Sequence, residues 1–587
     1  MLSALWAPLR SFKRRRGGGW RQRMGDESED EPQHSISRLG GNTLLRWGEG
    51  QISAATTVAT CQDAIADGLK HPMVTRVGQL QGSQHAHSEL MHMLRTNTQI
   101  IDMIRPIHDP ASIAKYYLPP SRLIAALHRH HKEQFHERLG AKPDELRTFW
   151  QGFQRQPHNR AFVERHPFLA GMGLDDLSYV VPLAVHEDAG PVSKSQSATI
   201  ISWSSIVGKG SEKLTHFPIA SWVKGKHETQ LSDHPCWQVL LHDFEKLARG
   251  HDHERAESIV ADAGGGRPWR FVLLFAKADE QNRCDQWGLV HYNAVGQCCP
   301  DCLADRGALP WTDLQATAAW RPTEAMTDAQ YLARMRMPHH PLVTSRFAWR
   351  YFFLDYMHVL DCKGLASVIY GGLLDSLIRR PSLGSSQYSR MVAINHWMKI
   401  WYEDRPGTIR LPPLRLKNLH KDGWADLHGV AIKAAMTRQA APLFAEMARH
   451  WCTADTREDH LMCEVTSRLE EFYVALKEAG MHFSRQQHRN IVTICQGLAD
   501  ALQELRGICR DAEEFRFQIK PKAHKFCHFP MWAACLNPRF ISCYADESHV
   551  GTCCTIWSRS MSGRYQSGVQ CNVLTKRLLS VLLRFEL

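Results

Sequence analysis

Residues 179–188 read YVVPLAVHED, a short apolar run closed by a histidine and two acids, and the fold turns on how this run is read. So short a run, rich in valine, fits a strand covered on both faces better than an amphipathic helix. Two similar runs follow, ATIISWSSIV at 198–207 and LTHFPIASWV at 214–223. Then HPCWQVLLHDFEKLAR at 234–249 takes up helical spacing and stops at Gly250, and after the Gly264-Gly265-Gly266 loop a fourth run, PWRFVLLFAKAD, reaches Asp279. The order is strand, strand, strand, helix, strand.

Outward from this block the pattern is helical on both sides. Upstream, residues 51–174 form a helical accessory region, with segments such as SELMHMLRTNTQIIDMI and PSRLIAALHRHHKEQFHERL. Downstream, residues 291–514 are mainly helical, and 515–587 hold a strand-like FQIKPKAHKFCHF and a last helix starting near Asp546. With 175–290 as its first part, this is the order of an α/β (α+β) ribonuclease-H-like mixed sheet, interrupted by a large helical insertion before its last elements.

The acids sharpen that reading. Asp188 ends the first strand and Asp279 the fourth. Neighbouring strands lie about 4.8 Å apart, so aspartates at one edge of a sheet can share a metal ion of the magnesium type. Two such ions with a third acid would serve in-line displacement at a phosphodiester. Singly, each aspartate is as well explained as a turn former or helix cap. Asp285 competes with Asp279 for the second position, which directness after the apolar run gives to Asp279.

Four blocks resemble transposases of the CACTA (En/Spm) type and proteins related to them. PLAVHEDAGPVSKS is similar to a first-aspartate block that usually reads His-x-Asp-Gly; here Ala189 stands in the glycine's place and Gly190 follows. FVLLFAKADEQNRCDQWGLVHYNAVGQCCPDC resembles the second-aspartate strand with its Cys-Pro-x-Cys element. LDYMHVLDCKGLASVIYGGLL looks like an Asp-x-x-His block, placing Asp355 and His358 in it. IKPKAHKFCHF with LNPRFISCYADESHVG is similar to a terminal block whose Asp-Glu pair opens the last helix. The resemblance spans about residues 175–575. It implies that Glu547 is the third carboxylate, with Asp546 capping, and that Asp188, Asp279 and Glu547 hold two Mg2+ or Mn2+ ions for DNA cleavage and strand transfer at transposon ends.

Cys299 and Cys302 have the spacing of half a tetrahedral zinc site, and Cys298 adjoins them. Asp355 and His358 would complete a structural zinc, with His291 and Cys284 as alternatives. His524 and His528, read as strand residues, would share one face. His524, Lys520 and Lys522 are candidate contacts to DNA phosphates, against the plainer reading of a half-buried histidine and solvated lysines.

The composition sets the frame. A formal charge of +11 over 587 residues permits a polyanionic partner without requiring one. No stretch reaches the roughly 18 apolar residues of a membrane span. Seventeen cysteines without a secretory leader fit a reducing compartment. Residues 1–50 read as a disordered tail, basic and then acidic; Lys13 to Arg16 suit nuclear import, and an organelle transit peptide is the alternative. The expected partner is double-stranded DNA, with a homo-oligomer consistent with such chemistry. Two rival functions stand beside the enzyme: a domesticated or degenerate transposase-derived DNA-binding protein without catalysis, and a nuclease acting on RNA or hybrids.

Overall fold

The computed structural model describes residues 37–586 apart from 81–85, 98–102, 225–232, 253–256, 259, 261–266, 293, 295, 326, 346–351 and 562–565. The Lys13 to Arg16 cluster and the triple-glycine loop lie outside the described residues.

Seven strands form one mixed sheet. They are β1 (Arg105–Pro106), β2 (Tyr116–Tyr117), β3 (Val180–Pro191), β4 (Ser197–Ser205), β5 (His216–Val223), β6 (Arg270–Lys277) and β7 (Phe352–Phe353), in spatial order β1-β2-β5-β4-β3-β6-β7. β3 to β5 run antiparallel to one another, while β6 is parallel to β3 and β7 parallel to β6. The four apolar runs are thus strands where the sequence places them. β3 and β6 are almost wholly buried, as strands covered on both faces must be.

Around the sheet lie α1 (Arg38–Gly48), α2 (His234–Arg249), α3 (Leu365–Ile378), α4 (Arg457–Glu478), α5 (Arg485–Asp511), α6 (Pro521–Phe526), α7 (Tyr544–Ser560) and α8 (Gln566–Glu586). α2 is the crossover that returns the chain to the parallel strand β6, burying Cys236, Trp237, Leu240, Phe244 and Leu247 along one stripe and ending at Gly250 in the left-handed region. α3 is buried along its whole length, the axis on which the helical region is built. Among the described residues no helix is long and apolar enough to cross a membrane.

Two expectations are overturned here. FQIKPKAHKFCHF is not a strand: Pro521 occupies the first turn of α6, and a second short helix, Phe529–Cys535, follows. The strand beside β6 is instead the two-residue β7, both of whose phenylalanines are buried. The helical insertion therefore lies partly before and mostly after the last strand. Nor is 1–50 a tail throughout, because Ser37 caps α1, whose Leu44, Leu45 and Trp47 are buried, and Arg584 of α8 pairs with Glu49. Burial of that apolar stripe against α8 outweighs the segment's polar flanks.

α7 is held on the even-numbered face of β3 by a small apolar cluster. Val192, Ala198, Ile200 and Val223 of the sheet meet Val550, Cys553, Ile556 and Trp557 of α7. At Gly190 an added Cβ would lie 2.7 Å from Cys554 Sγ, so glycine at this position allows helix and strand to approach. β3 itself continues straight through Ala189, so no turn is required at that residue.

Candidate metal centres

The register of the parallel pair places the first two acids. His186 on β3 is level with Lys277 on β6, the last rung between these strands. Asp188 and Asp279 each stand two residues beyond it. Asp188 does not end its strand, as the sequence led us to expect, but lies within β3, which runs on to Pro191, while Asp279 lies just past the end of β6 and feels the charge of Asp188. Asp279 also caps the short helix Glu280–Asp285, its Oδ1 accepting the Asn282 N–H at 2.6 Å. Burial raises the Asp279 carboxyl above its usual range, and the nearby charge of Asp188 adds to this. Asp285, at the far end of that helix, is exposed.

Glu547 comes from the first turn of α7, 359 residues after Asp188 in number but beside it in space. One oxygen of each, with one ring nitrogen of His186, lie within 4.8 Å of one another. What fixes that turn is its neighbour. Asp546 caps nothing; it is buried, with Oδ2 2.6 Å from Lys277 Nζ and Oδ1 3.4 Å from His216 Nε2. Burial disfavours its charge, but Lys277 above all, with His216, more than compensates and holds the carboxyl well below the aspartate range. Asp355 Oδ1 accepts the Cys543 N–H at 3.0 Å, anchoring the residue that opens the helix.

Asp355 and His358 belong to this carboxylate group and not to the cysteines. His358 Nδ1 lies 2.6 Å from Asp355 Oδ2, leaving Nε2 3.4 Å from Glu547 Oε1. Burial opposes a charge on His358, yet Asp355, Glu547 and Asp279 together push its pKa up to about 9. Glu547 is pushed up to about 8 by burial and by Asp188. Four acids, Asp188, Asp279, Asp355 and Glu547, thus gather about one imidazolium, an excess of negative charge that a divalent cation would relieve.

A cleft of about 850 Å³ opens beside them, lined by Asp279, Asp355 and His358 and by Lys363, Lys421 and Trp424. Lys520 and Lys522 also line it, but Lys520 pairs with Asp426 and Lys522 donates to the Cys362 carbonyl at 2.8 Å. Lys363 and Lys421 are the exposed cations of the wall.

The donors that meet Cys299 and Cys302 are His524 and His528, all four buried with their ligand atoms within 4.8 Å of one another. Cys299 Sγ is 3.4 Å from His528 Nε2, Cys302 Sγ 3.3 Å from His524 Nε2, and the two Nε2 atoms are 3.3 Å apart. Donors at about 2.0 Å (nitrogen) and 2.3 Å (sulfur) from one tetrahedral ion lie roughly 3.3–3.8 Å from each other, so the set is spaced for a single ion. His528 Nδ1 is 2.8 Å from Glu324 Oε1, an outer carboxylate that leaves Nε2 for the interior. This corrects the four-residue set expected from Asp355 and His358, and it removes His524 from phosphate contact, since that ring is 2 % exposed and faces sulfur. Helical spacing of four between the histidines was the signal, obscured by reading the segment as a strand.

No protein-family model matches this chain, and no curated protein is similar to it.

Proposed function

We propose that this protein is a transposase-like enzyme with a ribonuclease-H-like core, acting on double-stranded DNA through divalent metal ions bound by Asp188, Asp279 and Glu547. The observation that carries the reading is the closeness of Asp188, on a core strand, to Glu547, on a late helix, with Asp279, just past the end of the neighbouring strand, near enough to Asp188 to feel its charge. The order β5-β4-β3-β6-β7, with three antiparallel strands and then two parallel ones, is the strand order of a ribonuclease-H-like sheet and supports the same reading.

When bound, Mg2+ or Mn2+ would supply Lewis-acid activation of a water or 3′-hydroxyl and charge neutralisation at the leaving oxygen. The chain's own residues do the rest. Asp188, Asp279 and Glu547 bind and space the ions. Asp355 orients His358 and keeps it cationic, turning a positive Nε2 toward Glu547 at the side of the cleft. Lys363 and Lys421 neutralise backbone phosphates along the cleft. Lys277 and His216 hold Asp546, and through it the turn that carries Glu547. The Cys299, Cys302, His524 and His528 set is suited by donor type and spacing to a structural zinc that ties the entry of the helical region to its exit.

The test is nicking and strand transfer on DNA carrying the element's ends, with Mg2+ or Mn2+, for the wild type and for Asp188→Ala and Glu547→Ala. Activity lost in both variants supports the reading. Equal activity in either removes the proposed chemistry, and DNA binding without any cleavage by the wild type favours a transposase-derived DNA-binding protein.

A further inference from the structure

His186 sits two residues before Asp188 on the same face of β3, wholly buried, and neither of its ring nitrogens has a hydrogen-bond partner. Its rung neighbours do not relieve it. Ser202, level with it on β4, is buried with its own hydroxyl unpartnered, and Lys277, level with it on β6, is committed to Asp546. A fully desolvated imidazole with nothing to bond is costly and rare in folded proteins, and an ion is one of the few partners that removes the cost. A place for an ion lies beside it: one His186 nitrogen, an oxygen of Asp188 and an oxygen of Glu547 all lie within 4.8 Å of one another.

We propose that His186 is a nitrogen ligand of the cation held by Asp188 and Glu547, so that this centre is a mixed imidazole–carboxylate site selective for Mn2+ over Mg2+. The proposal rests on the reading of Asp188 and Glu547 as metal carboxylates and adds to it the ligand that sets the choice of ion. Magnesium takes oxygen donors in near-ideal octahedral geometry, whereas imidazole is a donor for first-row transition ions. A centre built from carboxylates alone would have no such preference. His358, the other imidazole at this spot, is already engaged through Nδ1 by Asp355 and carries positive charge toward Glu547, which suits it to an anion and not to a cation.

The experiment is pulsed electron paramagnetic resonance on the full chain, with its cysteine–histidine set loaded with zinc and Mn2+ added, read for nitrogen modulation of the manganese signal. The wild type is expected to show histidine nitrogen coupling, shifted by isotopically labelled histidine. His186→Gln is expected to lose it while still binding Mn2+ about tenfold more weakly, with Mg2+ affinity changed less, and His358→Gln is expected to keep it. Nitrogen coupling that survives in His186→Gln, or Mn2+ bound in the wild type without any nitrogen coupling, overturns the proposal. If His186→Gln does not fold, the second of those outcomes and the His358→Gln comparison still decide. Mn2+ binding that is absent in the wild type, or indifferent to Asp188→Ala, brings down the carboxylate-centre reading itself, which separates that failure from the failure of His186 alone.

Discussion

Lys277 and Asp546, 269 residues apart in the chain, form a buried ion pair in which Nζ lies 2.6 Å from Oδ2, so that the end of β6 grips the first turn of α7. Removing one partner strands the other's charge in the interior. Lys277→Met is expected to lower stability by about 3–5 kcal/mol, measured by urea denaturation at neutral pH, whereas Lys277→Met with Asp546→Leu recovers most of it. Because the folded protein depresses the Asp546 carboxyl, the pair's contribution is complete above the ordinary aspartate value of about 3.9 and decays as pH falls below it. A urea midpoint for Lys277→Met matching the wild type at pH 7 contradicts this.

Asp279 caps a helix and, in the proposed function, would also hold an ion, two roles that substitution separates. Asparagine accepts the Asn282 N–H as well as aspartate does, so Asp279→Asn is expected to change stability by less than about 0.5 kcal/mol. It is expected to lower metal-dependent cleavage by about a hundredfold or more, since a charged ion ligand is lost. Asp285→Asn, on an exposed residue, leaves cleavage unchanged. Reversed outcomes for the two positions would move the second carboxylate to Asp285.

Cation binding should depend on pH through Glu547. Its carboxyl titrates near 8 in the cation-free protein, so at neutral pH the incoming ion must displace a proton. Affinity for Mg2+ is expected to rise by up to about tenfold per pH unit below 8 and to level off above it, with proton release measurable by calorimetry in buffers of different ionisation enthalpy. In Glu547→Gln the slope should be lost together with most of the affinity. A wild-type affinity flat from pH 6 to 8 would show that Glu547 is not the residue being deprotonated.

Cys302→Ser and His524→Ala each remove one donor from the buried set that joins residues 299–302 to α6. Each is expected to purify with one zinc fewer per chain than the wild type and to lose about 4 kcal/mol or more of stability, as does chelation of the wild type. Equal zinc content in His358→Ala is expected, because His358 sits with Glu547.

The cleft lysines differ in what they are free to do. Lys363→Ala and Lys421→Ala should each weaken DNA binding uniformly across sequences and reduce the salt slope by about 1, as for a phosphate contact. Lys520→Ala should instead act mainly on stability, through Asp426 left without its ion pair. Filter binding over a salt series distinguishes the two patterns.

The sheet was legible because β3 to β6 are long enough for composition and period to speak: 216–223 and 270–277 lie within the apolar runs, and 180–191 and 197–205 overrun theirs by only three residues and one. β7 was not, since two residues carry no period, and it is made a strand only by the β6 edge it joins. The helix α6 was missed for a different reason. Its alternation of polar and apolar residues imitates a strand, and the helix is selected by Pro521 and by the need to bring His524 and His528 to the same cysteines. Asp279 was findable as the residue after a strand, Asp188 by closing an apolar run although its strand continues to Pro191, and Glu547 through a family resemblance. The placement of His186 depends on long-range packing of α7 against β3, which no local pattern encodes.

The neck formed by Cys299 and Cys302 with His524 and His528 brackets a segment whose ends, Cys302 and His524, are 222 positions apart in the chain. Bringing two points together at the base of so long a segment means that what lies above is hung from a fixed collar. Loop-closure cost grows only logarithmically with length, so helices can be added to or trimmed from the far end of this segment at little thermodynamic expense. The collar keeps α6 in place, and α7 follows it along the chain. The remodelling of the outer helices is thereby insulated from the acids near the sheet edge, and the spacing of Asp188 and Glu547 is left alone.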